Sequence, residues 1–228
     1  MEKQIFVSEM ASERRIAVHE NNKLVEFYIE KPGETGMVGN IYKGIIENVL
    51  PGMQAAFVDI GFGLNAFLPF TEINNPELLK DASTSEDEDN DNKKDKKEID
   101  KEIQVDLEKN QEILVQVIKE PFSGKGPRIT TNIAIPGHLV VLVPNSNFIG
   151  ISKKIWDKYE KRRIRKSIKN FIPNDVGIIV RTEAEGKSEK LIKKDFDNLL
   201  KQWRKLSKKS QKSEAPSLLY EDLETVST

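Results

Sequence analysis

With 228 residues, 36 Lys/Arg against 37 Asp/Glu and a formal net charge of −1, the chain has room for one large domain or two small ones, and its overall charge names no partner. Cysteine is absent, which excludes disulfides and thiolate metal sites, and the only two histidines, His19 and His138, are too far apart in sequence to suggest a zinc centre. No apolar run approaches the roughly 20 residues that cross a bilayer, and the opening MEKQIFVSEM lacks the apolar stretch of a secretory leader, so a soluble protein of a reducing compartment is expected.

The first 35 or so residues read as strands. Arg15–Glu20 and Leu24–Ile29 flank Asn21-Asn22, residues that tolerate positive φ, and this is the pattern of a β-hairpin. A lone hairpin is not stable in water, so these strands are expected to join a larger sheet. From Val38 the chain becomes a series of short strands, at Ile41–Val49, Ala55–Ile60 and Ala66–Phe70. Leu50-Pro51-Gly52 and Gly61-Phe62-Gly63 serve as corners, and Glu112–Ile118 and Arg128–Ile135 complete the set. About five short strands with glycine corners predict a closed barrel of the OB type. Residues 81–103 interrupt it with a charged, low-complexity run that buries too little apolar surface to offset its ordering entropy, so a disordered insertion is expected there.

After Pro136-Gly137, an apolar strand at His138–Val143 precedes a basic helix at Trp156–Phe171, a buried-type strand at Val176–Val180 and an amphipathic helix through Leu191–Leu206. Strand, helix, strand, helix predicts a small α/β layer. Ser207–Ala215 reads as a polar linker, and Pro216–Leu223 as the start of a further element. The second half is locally basic, with 20 Lys/Arg against 8 Asp/Glu between Ile151 and Ser213. Such a surplus suits a surface that meets phosphates, or simply a solvated helix-rich face.

Three groups of side chains carry possible chemistry. Phe57 and Phe67 lie on neighbouring strands, near Lys125 in the loop SGKGPR. Aromatics on an OB face stack bases while lysines meet the backbone, although a strand phenylalanine is ordinarily core. Arg181 and Thr182 stand together at a strand end, where a guanidinium fork and a hydroxyl can clamp a phosphate. Gly186-Lys187-Ser188 does not make a P-loop, because the required earlier glycine is replaced by Arg181. Ser152-Lys153-Lys154 and the helix cations from Lys158 to Lys166 can add phosphate contacts or remain solvated. No Ser/His/Asp set, Cys/His dyad, H-E-x-x-H motif or placed acid pair is present, so no catalytic residue and no protein-bound metal is expected.

The motifs NIYKGIIENVLPGMQAAFVDIG, NAFLP, VQVIKEPFSGKGPRITTNIAIPGHLVVLVP, GISKKI, GIIVRTEAEGKS and PSLLYEDL occur in this order, and in that order they resemble ribonuclease E/G proteins, especially the cyanobacterial and plastid branch. The resemblance implies an α+β fold in which an RNA-binding OB barrel of the S-one type, at residues 38–131, is inserted in a catalytically dead RNase H-like subdomain. The first piece of that subdomain would be residues 1–37. A five-prime sensor would occupy 132–206, and 207–228 would be a linker leading into the second RNase H-like piece. It further implies that Arg181 and Thr182 bind a 5′-monophosphate, that Val141 packs beside the terminal base, and that Phe57, Phe67 and Lys125 contact RNA.

In the family, two magnesium-binding aspartates and a CPxCxGxG zinc link come after the RNase H-like part. The resemblance therefore implies magnesium for the full-length enzyme but none held by these residues, and a chain that binds single-stranded RNA without cutting it alone. A separate chain would then supply the catalytic half. The processes implied are rRNA processing and mRNA decay, in a bacterial cytoplasm or a plastid stroma. The alternative left open is a stand-alone OB-fold RNA-binding protein or regulator without nuclease activity.

Overall fold

The chain opens with three antiparallel strands, β1 (Lys3–Glu9), β2 (Arg14–Glu20) and β3 (Lys23–Glu30), in the order β1-β2-β3. The structure is a computed structural model that describes residues 3–10, 13–30, 36–74 and 105–222. Asn21 and Asn22 turn β2 into β3 at φ of 50° and 63°, the left-handed conformation that asparagine accepts more readily than most residues. The hairpin lies where the sequence places it, and β1 makes it a three-stranded sheet. Ile5 faces Val18 and Val7 faces Ile16 across the β1–β2 pair. Residues up to Met37 belong to one compact unit, and Val38–Glu221 form the other.

The second unit contains a closed five-stranded barrel. Its strands are β4 (Ile41–Leu50), β5 (Ala55–Asp59), β6 (Ala66–Pro69), β7 (Glu112–Lys119) and β8 (Arg128–Thr130). Hydrogen bonding runs β4-β5-β6-β8-β7, and β7 pairs back onto β4 to close the ring. Closure leaves only the first residues of β4, which β5 does not reach, open to a further strand. Alternation sends Ile46, Ala56, Val58, Ala66, Leu68, Val115, Val117 and Ile129 inward, all essentially inaccessible to solvent. Gly44 is needed where β4 bends over the barrel, because a Cβ there would lie 2.5 Å from Val58 Cγ1 and 2.9 Å from the Asp59 carbonyl. The charged insertion expected at residues 81–103 lies outside the described residues.

The strand expected across Arg128–Ile135 is broken in two. Thr130 Oγ1, Thr131 N and Asn132 Nδ2 all donate to the Glu72 carbonyl, which diverts the backbone after Thr130. The second part is β9 (Ile135–Pro136), and it joins another sheet with β10 (Val140–Pro144), β11 (Ile149–Ile151) and β12 (Val176–Val180), in the order β11-β12-β10-β9. Helices α1 (Lys158–Lys169) and α2 (Glu189–Lys212) complete this α/β layer. Leu139, Val140, Leu142, Ile164, Ile168, Ile178, Val180, Ile192, Phe196 and Leu199 share its core.

The linker expected from Ser207 is instead helical as far as Lys212. Leu206 and Ser210 continue the buried stripe of α2, and Lys209 Nζ donates to the carbonyls of Leu218 and Leu219, at 3.3 and 2.9 Å. Ser217–Tyr220 form β13, which pairs with β4 and extends the barrel sheet.

Candidate nucleic-acid interface

The α/β sheet is where the predicted phosphate residues meet. β12 is buried along its whole length, with β10 antiparallel on one side and β11 parallel on the other. Because side chains alternate, Val140, Leu142, Ile178 and Val180 face the helices, while Val141 and its cross-strand neighbour Ile179 turn to the opposite face. There they line a pocket of about 530 Å³ together with Ser152, Lys153, Lys154, Arg181, Thr182 and Glu183. All three residues named for 5′-phosphate binding, Val141, Arg181 and Thr182, therefore border one concavity, and so does the cluster Ser152-Lys153-Lys154.

The positions of these groups are set by backbone bonds. Arg181 leaves β12 with its N–H donating to the Leu139 carbonyl at 2.9 Å, and its Nη1 donates to the Gly137 carbonyl at 2.6 Å. Its Nε lies 3.7 Å from Glu183 Oε2, in an ion pair exposed on both sides. A guanidinium has five N–H groups, so these contacts orient the fork and still leave it donors. Ser152 N donates to the Val180 carbonyl at 2.9 Å, and the Ser152 and Thr182 hydroxyls lie 3.3 Å apart. Three cations and two hydroxyls against one carboxylate make the rim suited to an anion, while Val141 and Ile179 give it an apolar floor.

Two further devices hold the walls. Asp195 of α2 accepts from the Leu139 and Val140 N–H groups at 2.7 and 3.1 Å, through the same Oδ2. A Cβ on Gly137 would lie 2.8 Å from that oxygen and 2.9 Å from Leu199 Cδ1, so a larger residue would displace both side chains where the loop passes and offers its carbonyl to Arg181. On the other side Glu160 of α1 receives both Arg163 Nε and Nη2 at 2.7 Å, and the Gly186 N–H at 2.8 Å. The Arg163 hydrogen bonds, with help from Gly186, hold the Glu160 carboxyl down at about 2. Arg163 also donates to the Lys187 carbonyl at 2.8 Å, which fixes the turn between Arg181 and α2.

The barrel carries the second predicted set. Ala56 and Val58 point inward, as do Ala66 and Leu68, so Phe57 and Phe67 lie on the outside, half-buried. They are directly opposite one another across β5 and β6, with ring centroids 5.8 Å apart at 61°. Lys125 is exposed in the turn closed by the Phe122–Lys125 bridge, with Ser123 and Gly124 at positive φ. That turn returns the chain to Phe67: its N–H donates to the Pro127 carbonyl at 2.8 Å, and Arg128 is its strand neighbour. A Cβ on Gly126 would overlap the Asn65 carbonyl at 1.9 Å, which makes this close approach a glycine-only contact. The two aromatics and Lys125 thus border one side of the barrel, on a different sheet from the pocket.

Residues 134–228 match the model of the Ribonuclease E/G family. The chain is 36% identical over 217 residues to Ribonuclease G of Haemophilus influenzae, a match covering 95% of this chain and 42% of that protein. It is 34% identical over 229 residues to Ribonuclease G of Escherichia coli K12, covering 98% of this chain and 44% of the other. The chain belongs to the ribonuclease E/G family. Ribonuclease E of the cyanobacterium Nostoc sp. is 36% identical over 225 residues, covering 97% of this chain and 29% of that protein. Identity is thus the same to a proteobacterial Ribonuclease G as to a cyanobacterial Ribonuclease E. The chain spans less than half the length of these curated relatives.

Within this family framework, several residues that shape the pocket carry no local signal in the sequence. Gly137 and Asp195 act through contacts with residues on other elements, and Glu183 through Arg181, two residues before it. Among the described residues no group of three His, Asp or Glu side chains is gathered to hold a metal ion. Among them, too, no helix is long and apolar enough to cross a membrane.

Proposed function

We propose that this chain binds single-stranded RNA and reads its 5′-monophosphate end, as the substrate-recognition portion of a ribonuclease E/G-type endoribonuclease. The observation that carries this reading is the convergence of Arg181, Thr182, Ser152, Lys153 and Lys154 on one pocket floored by Val141. A terminal phosphate accepts charge-assisted hydrogen bonds from the Arg181 fork and a bond from Thr182, while the first base lies on Val141. A 5′-hydroxyl offers no charge to that fork. In this assignment the α/β layer is the five-prime sensor, the barrel is the S-one-type RNA-binding domain with Phe57, Phe67 and Lys125 on its RNA face, and residues 1–37 are the first piece of the RNase H-like subdomain.

Hydrolysis is assigned to no residue of this chain. The acids among the described residues do not gather into a magnesium site. The test is to incubate the purified chain with AU-rich RNA and magnesium, following binding and cleavage together. Binding that favours the 5′-monophosphate form, with no cleavage, is expected. Cleavage that follows the protein through purification would show a catalytic centre in this chain, and failure to bind RNA would remove the reading altogether.

A further inference from the structure

Two large aromatic side chains next to the pocket have no packing role. Trp156 is 87% exposed and Tyr159 is 81% exposed, at the start of α1. A surface tryptophan left this bare is unusual, because its large ring is normally well buried. The segment that carries them is nonetheless anchored. Ile155 is fully buried, its N–H donates to the Ser152 carbonyl at 3.2 Å, and Asp157 caps the helix by accepting the Tyr159 N–H at 2.8 Å. Lys154 lines the pocket, and Trp156 comes two residues later, within about 7 Å along an extended backbone. Beyond the aromatics, α1 presents Lys158, Arg162 and Lys166 to solvent.

We propose that Trp156 and Tyr159 form a base-stacking platform for the single-stranded RNA leaving the pocket, with the exposed cations of α1 following its phosphates. The proposal rests on the 5′-end reading above and extends it from the terminal nucleotide to those after it. Exposed aromatics beside cations are the usual composition of a surface for single-stranded nucleic acid, where each stacked base contributes without regard to sequence. The charge complement favours a polyanion, and continuity with a pocket rimmed by Arg181, Lys153 and Lys154 favours one whose 5′ phosphate enters there.

The test compares wild type with a Trp156→Ala/Tyr159→Ala variant, using adenosine 5′-monophosphate and a 5′-monophosphorylated RNA hexamer. Both side chains are exposed, so the variant keeps its core, and a thermal melt checks that it does. The expected result is hexamer affinity reduced about tenfold or more, with mononucleotide affinity unchanged. Quenching of Trp156 fluorescence by the hexamer but not by the mononucleotide is expected alongside. Unchanged hexamer affinity in the folded variant overturns the platform. Repeating the titration with a 5′-hydroxyl hexamer separates the two readings, since preference for the phosphate reports on the pocket and length dependence on the aromatics. Anionic phospholipid vesicles that bind wild type but not the variant, with hexamer affinity equal in both, would likewise overturn it in favour of a membrane surface.

Discussion

The barrel face and the strand-end pocket sit in one compact unit yet present opposite kinds of surface. On the barrel, Phe57 and Phe67 are half-buried outward aromatics in edge-to-face contact, and nothing about them distinguishes one base or one RNA end from another. In the pocket, Arg181 is aimed by two backbone carbonyls and faces a hydroxyl pair, so its donors meet a charge only at a defined point. In the proposed reading, the first kind of surface would supply affinity along a strand, and the second discrimination at its end. The difference arises from where each stands: a closed barrel wall carries outward side chains of its strands, whereas a strand end exposes backbone groups and the side chains they orient.

On that division, the largest effect comes from the barrel and is blind to the RNA end. Phe57→Ala with Phe67→Ala should weaken 5′-monophosphate and 5′-hydroxyl RNA alike, by about 2–4 kcal/mol for two lost stacks. Filter binding on both RNAs, with a melting curve to show that the barrel persists, would check this. An unequal loss would mean that the barrel also reads the end.

Thr182→Val should cost about 1 kcal/mol, on 5′-monophosphate RNA alone, because it removes one hydroxyl without changing shape. The same titration decides it, and an equal loss on 5′-hydroxyl RNA would place Thr182 outside the phosphate contact.

The Glu160–Arg163 pair makes the pocket's support depend on acid. The Glu160 carboxyl titrates at about 2 in the folded protein against 4.5 for an ordinary glutamate. A group lowered on folding stabilises the protein above its unfolded value, and that stability is lost as pH falls from about 4.5 towards 2. Because Arg163 is partly solvated, the contribution is about 1 kcal/mol after screening. Denaturant melts of wild type and Glu160→Gln should therefore differ at pH 7 and converge near pH 2. Curves that stay parallel would show that the charge of Glu160 does not hold the turn.

The smallest effect concerns Glu183, which competes with any anion for Arg181. Glu183→Gln should tighten 5′-monophosphate RNA by a few tenths of a kcal/mol, up to about 1, and leave 5′-hydroxyl RNA unchanged. Weaker binding would make Glu183 a positioning group for the guanidinium instead.

How far these regions are legible in the sequence differs in the same way. The barrel's strands come from alternation and Gly/Pro corners, all local signals, and the fold is α+β with a closed five-stranded barrel. The outward direction of Phe57 and Phe67 is implicit in the same period, since Ala56 and Val58 flank one ring and Ala66 and Leu68 the other. A phenylalanine's preference for core obscures it. Arg181 and Thr182 show in the sequence as a strand-end pair suited to a phosphate, but a surface arginine reads the same way. The bonds that aim Arg181 come from Gly137 and Leu139, more than 40 residues away, and Thr182 meets Ser152, 30 residues away. The last turns of α2 are not legible at all: Ser207–Lys212 is polar, and its anchor is the bonding of Lys209 to a strand completed across the barrel by β4.

Fluorescence anisotropy of a labelled AU-rich oligonucleotide, with either a 5′-monophosphate or a 5′-hydroxyl, on wild type and Arg181→Ala, tests the assignment of discrimination to the pocket most directly. Wild type should prefer the 5′-monophosphate by about tenfold or more, the worth of charge-assisted bonds to one phosphate. Arg181→Ala should lose that preference while binding 5′-hydroxyl RNA as wild type does. Equal binding of both RNAs by wild type, or a variant that weakens both equally, would contradict it.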